Sequence, residues 1–222
     1  MVRVKVIVEG QTEEIFVRKV LAGFFELKGI YLYALLTGKP TGRGGVPRWQ
    51  KARRDFLIAL KQDPKTIVTT MFDYYGMPLC WPGREESKGK SAKQAHTIIE
   101  AAIAEDIYKY LGNSFDKRRF IPYVQMHEFE ALLFSDTTVF AQSLGDTSFK
   151  TDFQAIRKKF VTPEEINDDP LTAPSKRIAG IYNSYDKTSD GPLAAEKIGI
   201  EKIRAECPHF NEWMSRLELL AQ

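Results

Sequence analysis

A chain of 222 residues, 43% hydrophobic and 27% charged, has the composition of an ordinary globular protein long enough to bury a sizeable core, which excludes wholesale disorder. Its formal net charge of +3 permits a polyanionic partner without demanding one. No apolar run approaches the roughly 18 residues of a membrane span, and the opening MVRVKVIVEG lacks a signal peptide's apolar segment and cleavage site, so no membrane role and a cytoplasmic location are expected.

Residues Val2 to Val8 alternate Arg3 and Lys5 with valine and then turn continuously apolar, the pattern of a strand entering a buried sheet, with Glu9 at its C-terminal end. Thr12 is then expected to cap a helix that carries Ile15, Phe16, Val20, Leu21, Phe24 and Phe25 on one face, with Glu13 and Glu14 in its first turn. A second strand, Ile30 to Leu36, runs into the basic, glycine-rich GKPTGRGG and a mixed-charge helix from about Pro47 to Lys61. The third strand, Thr66 to Phe72, ends directly at Asp73. A turn-rich segment leads from there to a long helix, Ser91 to Leu111, striped by Ala95, Ile98, Ile99, Ala102, Ile103, Ile107 and Leu111. A fourth strand, Arg119 to Gln125, delivers HEFEALLF. Beyond Phe149 the chain reads as short helices broken at Pro163, Pro170, Pro174, Gly191 and Pro208.

Strands alternating with helices predict a largely parallel, three-layer α/β sheet whose ligand sites lie at the C-terminal strand ends. One domain is expected over 1–222, with an α/β core in 1–148 and a helical extension, 149–222, packed on it. Cys80 and Cys207 lack the near neighbours of a zinc pair and read as two free thiols in a reducing compartment.

The acids carry the chemistry. Glu9, Asp73 and the pair Glu128 and Glu130 stand at the ends of three predicted strands, and Glu13 follows Glu9 by one helical turn. Magnesium prefers oxygen ligands and keeps waters beside one or two carboxylates and a substrate phosphate, so this constellation suits Mg²⁺ or Mn²⁺. Taken singly, Glu9 and Asp73 are equally well read as acids serving backbone N–H groups in a cap or turn, and Glu130 as an acid at a helix start. Glu128 and Glu130 share a face if extended and diverge if helical, and the next helix is expected to begin between them. His127-Glu128 is not a zincin motif, because Ala131 stands where the second histidine belongs. GKPTGRGG can cradle phosphate through backbone N–H groups with Lys39 or Arg43, but it is no Walker A loop and a solvated loop is the plainer reading. Lys176 and Arg177 bind phosphate or are surface charge, and Tyr74, Tyr75 and Trp81 stack on a base or pack in the core.

VIVEGQTEEIFVRKVL, the glycine-basic loop, FDYYGMP with its later WPG, HEFEALLFSD, LTAPSKRI and CPHFNEWMSRL together resemble the bacterial family called domain of unknown function 4276, which is grouped with Toprim folds. The style is similar to the nuclease Toprim domain of the overcoming-lysogenisation-defect (OLD) family. That resemblance implies a Mg²⁺-dependent nuclease cutting phosphodiester bonds of DNA or RNA, an effector in phage defence paired with an AAA- or ABC-type ATPase supplied in trans. It casts Glu9 as the leading acid, Glu13 as the second, Asp73 as the first Asp of a DxD, and Glu128 and Glu130 as the following acidic segment. Lys176 or Lys187 would be the late lysine that steadies transition-state charge, and Lys39, Arg43, Lys176, Arg177 and Lys187 the phosphate-binding set. Tyr75 stands where the second Asp of DxD belongs, which leaves open one or two metals. The rival readings are a catalytically inactive nucleic-acid or nucleotide-binding Toprim module and a small-molecule phosphohydrolase. Self-association is left open.

Overall fold

The computed structural model describes residues 1–37, 45–166, 169 and 171–221. Its sheet is parallel throughout, in the order β2-β1-β3-β4, from β1 (Val2–Val8), β2 (Ile30–Leu36), β3 (Ile67–Asp73) and β4 (Phe120–Ile121), with the short β5 (Val124–Gln125) also on β3. Val8 pairs with both Leu36 and Met71, so the strand ends are level across the sheet.

Pleat alternation sends side chains to two cores, one on each face. Val4, Val6 and Val8 of β1 look to the face covered by α1 (Gln11–Phe16), a π-helical turn over Val17–Leu21, and α2 (Ala22–Glu26). Ile7 joins Val68 and Phe72 of β3 on the other face, under α3 (Trp49–Gln62) and α4 (Ala92–Leu111). The three-layer α/β arrangement expected from the sequence is the one observed. The helices following β1 and β3 lie on opposite faces, so a topological switch point opens between the C-terminal ends of these adjacent strands, where open α/β sheets take their ligands.

The C-terminal helices are α5 (Thr137–Ser143), α6 (Phe149–Arg157), α7 (Pro174–Ile181), α8 (Asp190–Ile198), α9 (Ile200–Glu206) and α10 (Pro208–Glu218). They share the core of α1 and α2 through Phe140, Phe153, Ile178, Ala194, Ala195, Ile203, Phe210 and Trp213. Trp213 stacks on Tyr123 at 4.3 Å and donates from Nε1 to Thr69 Oγ1 at 2.8 Å, so the last helix is tied directly to the sheet.

Four local expectations need correction. The first helix is capped by Gly10, not Thr12, which is buried inside it. A side chain at Gly10 would put its Cβ 3.0 Å from Glu13 Oε2, and Glu13, at the third helical position, accepts from the Gly10 N–H in half of a capping box. The fourth strand is two fragments, because Pro122 has no N–H for the ladder. Side chains bridge the break: Thr69 Oγ1 donates to Ile121 O at 2.6 Å, and Thr70 Oγ1 accepts from Tyr123 N and donates to Tyr123 O, both at 2.9 Å. Pro163, Pro174 and Pro208 do not merely interrupt helices but open them at the first turn, where a missing N–H costs nothing. Gly191 lies within the first turn of α8, where an added Cβ would stand 3.0 Å from the Tyr185 hydroxyl and 3.1 Å from the Phe129 ring. Pro170 falls outside the described residues.

Candidate metal centre at the strand ends

Glu9 follows β1 directly and Asp73 is the last residue of β3. Their strands are neighbours in register, so the Glu9 carboxylate reaches across and accepts from the Asp73 backbone N–H at 3.0 Å. Glu13 arrives from the first turn of α1. Glu128 and Glu130 come from the segment after β5, in which Glu128 is extended (φ −136°, ψ 158°) and caps a 3₁₀ helix, Phe129–Asp136. The helix therefore begins between the two acids, as the spacing suggested. Phe129, between them, points into the core against Phe16 at 5.1 Å and anchors the segment.

Lys187 stands among these acids. Its Nζ lies 3.2 Å from Glu130 Oε1 and 3.6 Å from Glu128 Oε1. The turn that presents it is set by Asp186, whose Oδ1 accepts from the Thr188 N–H and hydroxyl and from Ser189 N, an Asx-type arrangement that holds the loop without a helix or strand. Glu128 is held from the other side by Ser175, which donates its backbone N–H to Oε2 at 2.9 Å and its hydroxyl to Oε1 at 3.1 Å. Ser175 is in the first turn of α7, where N–H groups lack helical partners and the helix dipole favours an anion.

Crowded, buried carboxylates resist ionisation. Burial, then the charge of Glu13, pushes Glu9 up to about 8 against the Asp73 hydrogen bond and Lys187. Burial raises Glu13 to about 7, with Glu130 adding to the effect. Asp73 is driven well above the usual carboxylate range by burial and by Glu9, Glu13, Glu130 and Glu128, and Glu130 is raised by burial and by Glu128. Lys187 behaves oppositely: burial opposes its charge, but Glu130, Glu128 and Asp73 outweigh that and hold it firmly protonated. Five acids thus sense one another around one ammonium. Asp73 Oδ1 is buried with no hydrogen-bond partner among the described residues. An unshared carboxylate oxygen amid an excess of negative charge is a donor set that fits a hard divalent cation.

The remaining sequence candidates lie elsewhere. Lys176 is exposed on α7 and makes no ion pair with these acids; Ser175, one residue earlier, is the contact. Arg177 turns away, donating from Nε to Thr172 O at 2.6 Å with its guanidinium 5.5 Å from the Phe160 ring. Tyr74 and Trp81 are core residues: Tyr74 OH bonds Ser87 and Trp81 Nε1 donates to Pro47 O at 2.8 Å. Tyr75, in the position of the second DxD acid, brings no carboxylate, and its N–H donates to His127 O at 3.0 Å. Lys39 and Arg43 lie outside the described residues. Ser175 had one sequence signal, Pro174 at a helix start just ahead of it.

The family known as Domain of unknown function (DUF4276) matches residues 8–218. The chain belongs to that family. None of the curated proteins matches it. Among solved structures, this DUF4276 chain is similar to the C-terminal region of the OLD protein of Xanthomonas campestris pv. campestris, in a form phased with iodine, at 14% identity with 97% of each chain covered and a TM-score of 0.36. The platinum-phased form of the same region gives 14% identity, 100% of this chain and 98% of that one, and a TM-score of 0.37. Among the described residues, no helix is long and apolar enough to cross a membrane.

Proposed function

We propose that this DUF4276 chain is a Mg²⁺- or Mn²⁺-dependent nuclease of the Toprim type, acting on DNA or RNA as a phage-defence effector beside a separate ATPase. The observation that carries the reading is the gathering of Glu9, Glu13, Asp73, Glu128 and Glu130 around Lys187 at the topological switch point. The sequence motifs resembling Toprim nucleases fall on these same residues.

In this reading Glu9, Asp73 and Glu130, with Glu13 and Glu128 beside them, hold the metal. The bound ion would supply a more acidic water and neutralise charge on phosphate oxygens. The chain's own groups do the rest. Glu9 and Asp73 are kept at one spacing by the hydrogen bond between them, and Ser175 fixes the orientation of Glu128. Lys187, held protonated by Glu130, Glu128 and Asp73, would face the developing negative charge of a phosphoryl transition state.

Tyr75 favours a second reading: with one acid of DxD missing, the chain binds nucleic acid or a nucleotide and signals through its partner without cutting. A panel of plasmid, single-stranded DNA and tRNA, incubated with Mg²⁺ or Mn²⁺ with and without a neighbouring ATPase, separates the two. Cleavage that disappears in Glu9→Gln and Asp73→Asn supports the nuclease. Metal-dependent retention of substrate without cleavage supports the binding module, and cleavage undiminished in both variants rules out the carboxylate mechanism.

A further inference from the structure

A second cluster lies away from these acids, and no step above uses it. His96 and Glu100 are four residues apart on α4, on one face, and the first turn of α10 brings His209 to them from 109 positions along the chain. The three offer ligand atoms that all lie within 4.8 Å of one another; both imidazoles are buried and the Glu100 side chain is 12% exposed. His209 Nε2 is 2.8 Å from Glu100 Oε1, and the two imidazole rings are stacked with centroids 3.6 Å apart and planes 15° from parallel.

We propose that His96, Glu100 and His209 form a second metal site, selective for a nitrogen-preferring divalent ion such as Zn²⁺ or Co²⁺, that ties α4 to α10.

Two imidazoles and one carboxylate, two of them at i and i+4 of a helix, are a donor set that zinc accepts with its fourth position left to water, whereas Mg²⁺ prefers oxygen alone. His209 Nε2 faces Glu100 and is the ligand atom the cluster offers, while Nδ1, buried without a partner among the described residues, lies on the far side of the ring. Lys93, on the same helix, is the cation that His96 senses, and Glu100 and Glu164 are the carboxylates nearest the pair. The proton between His209 and Glu100 holds the place that the ion would take, and binding requires the rings to turn out of their stack so that their lone pairs converge.

The surroundings suit a structural ion. Glu164 accepts from the N–H groups of His209 and Phe210 at 2.9 and 2.8 Å and fixes the start of α10. Glu100 accepts from Val124 N at 2.9 Å, so the same carboxylate also holds β5, the strand that leads to Glu128 and Glu130. An ion here would clamp α4, β5 and α10 together just behind the strand-end acids. This inference does not rest on the nuclease reading.

The test uses the full chain, stripped with chelator and carrying Glu9→Gln and Asp73→Asn to silence the strand-end acids. Titration with Zn²⁺ and with Co²⁺ alone is expected to give one bound equivalent and a rise in melting temperature that Mg²⁺ does not produce. His96→Asn and Glu100→Gln, checked for native circular dichroism, should each weaken Zn²⁺ binding by at least about tenfold. X-ray absorption at the zinc edge of the unmutated chain needs no variant to fold and should show two imidazole ligands. Absence of Zn²⁺ binding, affinity unchanged in folded His96→Asn, or an all-oxygen zinc shell would each overturn the site. Loss of nuclease activity in any of these proteins bears on the other proposal alone.

Discussion

The Glu9 carboxylate accepts the Asp73 backbone N–H at 3.0 Å, so the acid that ends one strand holds the end of its neighbour. Because the bond uses an N–H and not the Asp73 carboxyl, it brings the two acids together without neutralising either. Glu9→Gln keeps an acceptor for that N–H and removes one negative charge from the cluster. In metal-free buffer near pH 8 the variant should therefore be more stable than the parent, by about 1 kcal/mol, or about 2–4 °C in Tm for a chain of this size. Adding Mg²⁺ should raise the Tm of the parent and leave the variant nearly unmoved. Differential scanning fluorimetry with and without chelator reads both outcomes, and a variant less stable than the parent in chelator would show that the charge crowding has been misjudged.

The same crowding sets a pH dependence. Glu9 and Glu13 titrate at about 8 and about 7 in the folded chain, above the ordinary 4.5. Groups with raised folded values bind protons more tightly in the native state, so their contribution is complete below about 4.5 and is lost as pH rises through 7 and 8. The metal-free Tm should decline from about pH 5 to pH 8, while saturating Mg²⁺, which favours the ionised acids, should flatten that decline. Matched melting curves across this range are the check, and a metal-free Tm rising toward pH 8 would contradict it.

The convergence of acids on which both predictions rest was legible in sequence, because an acid that ends a strand marks a sheet edge. An apolar run that stops at Glu9, and another that stops at Asp73, place two carboxylates at one sheet edge once the strands are parallel, and a single chain direction is enough to see it. What sequence could not supply was contact between distant segments. Lys176 and Lys187 look alike in a string of residues, and only the packing of α7 and α8 turns one outward and the other into the acids. Ser175 matters because its helix starts against Glu128, a fact of tertiary placement. The split of the fourth strand follows from Pro122, but the apolar residues around it carry the period of a strand and mask the break. His96 and Glu100 showed the i, i+4 spacing, but their third partner is 109 residues away.

Glu164 offers a purely structural prediction. It is buried, its pKa is raised by that burial, and it accepts the N–H groups of both His209 and Phe210. Glu164→Ala leaves two N–H groups at a helix start without acceptors in the core. The expected loss is about 2–4 kcal/mol in urea unfolding, larger than an ordinary cap because both donors are buried. Glu164→Gln, which keeps one acceptor oxygen, should lose less than half as much. Equal losses in the two variants would mean that one retained acceptor oxygen contributes nothing and that both carboxylate oxygens are needed.

Ser175 and Glu128 give a milder case. Ser175→Ala removes the hydroxyl donor to Glu128 Oε1 and keeps the backbone donor to Oε2, so the carboxylate stays near its place with one bond fewer. Stability should fall by about 1 kcal/mol, and any Mg²⁺-dependent activity by about tenfold, through looser positioning of Glu128. Ser175→Thr, which restores a hydroxyl, should recover most of both. Failure of threonine to rescue would point to crowding at the start of α7 as the cause.

The two lysines provide the sharpest comparison. Lys187 lies 3.2 Å from Glu130 and 3.6 Å from Glu128, yet its side chain is 47% exposed, so its pairing is worth less than a fully buried ion pair. Lys187→Met should cost the metal-free protein about 1–2 kcal/mol near pH 8, because water screens part of the interaction while two buried carboxylates lose their neighbouring cation. Near pH 5 the raised carboxyls of Glu9, Glu13, Asp73 and Glu130 are more protonated and the cost should shrink. Saturating Mg²⁺ should shrink it as well, since the ion takes over the charge that Lys187 balances. Lys176, exposed on α7 and paired with none of the acids, should tolerate alanine within about 0.5 kcal/mol under every one of these conditions. If the chain cleaves nucleic acid, Lys187→Met should lower turnover by roughly 10²-fold with Mg²⁺ affinity retained, as expected for loss of a group facing transition-state charge. Lys176→Ala should affect substrate affinity alone. A turnover defect in Lys176→Ala matched by normal turnover in Lys187→Met would reverse the assignment and place the phosphate on the outer face of α7.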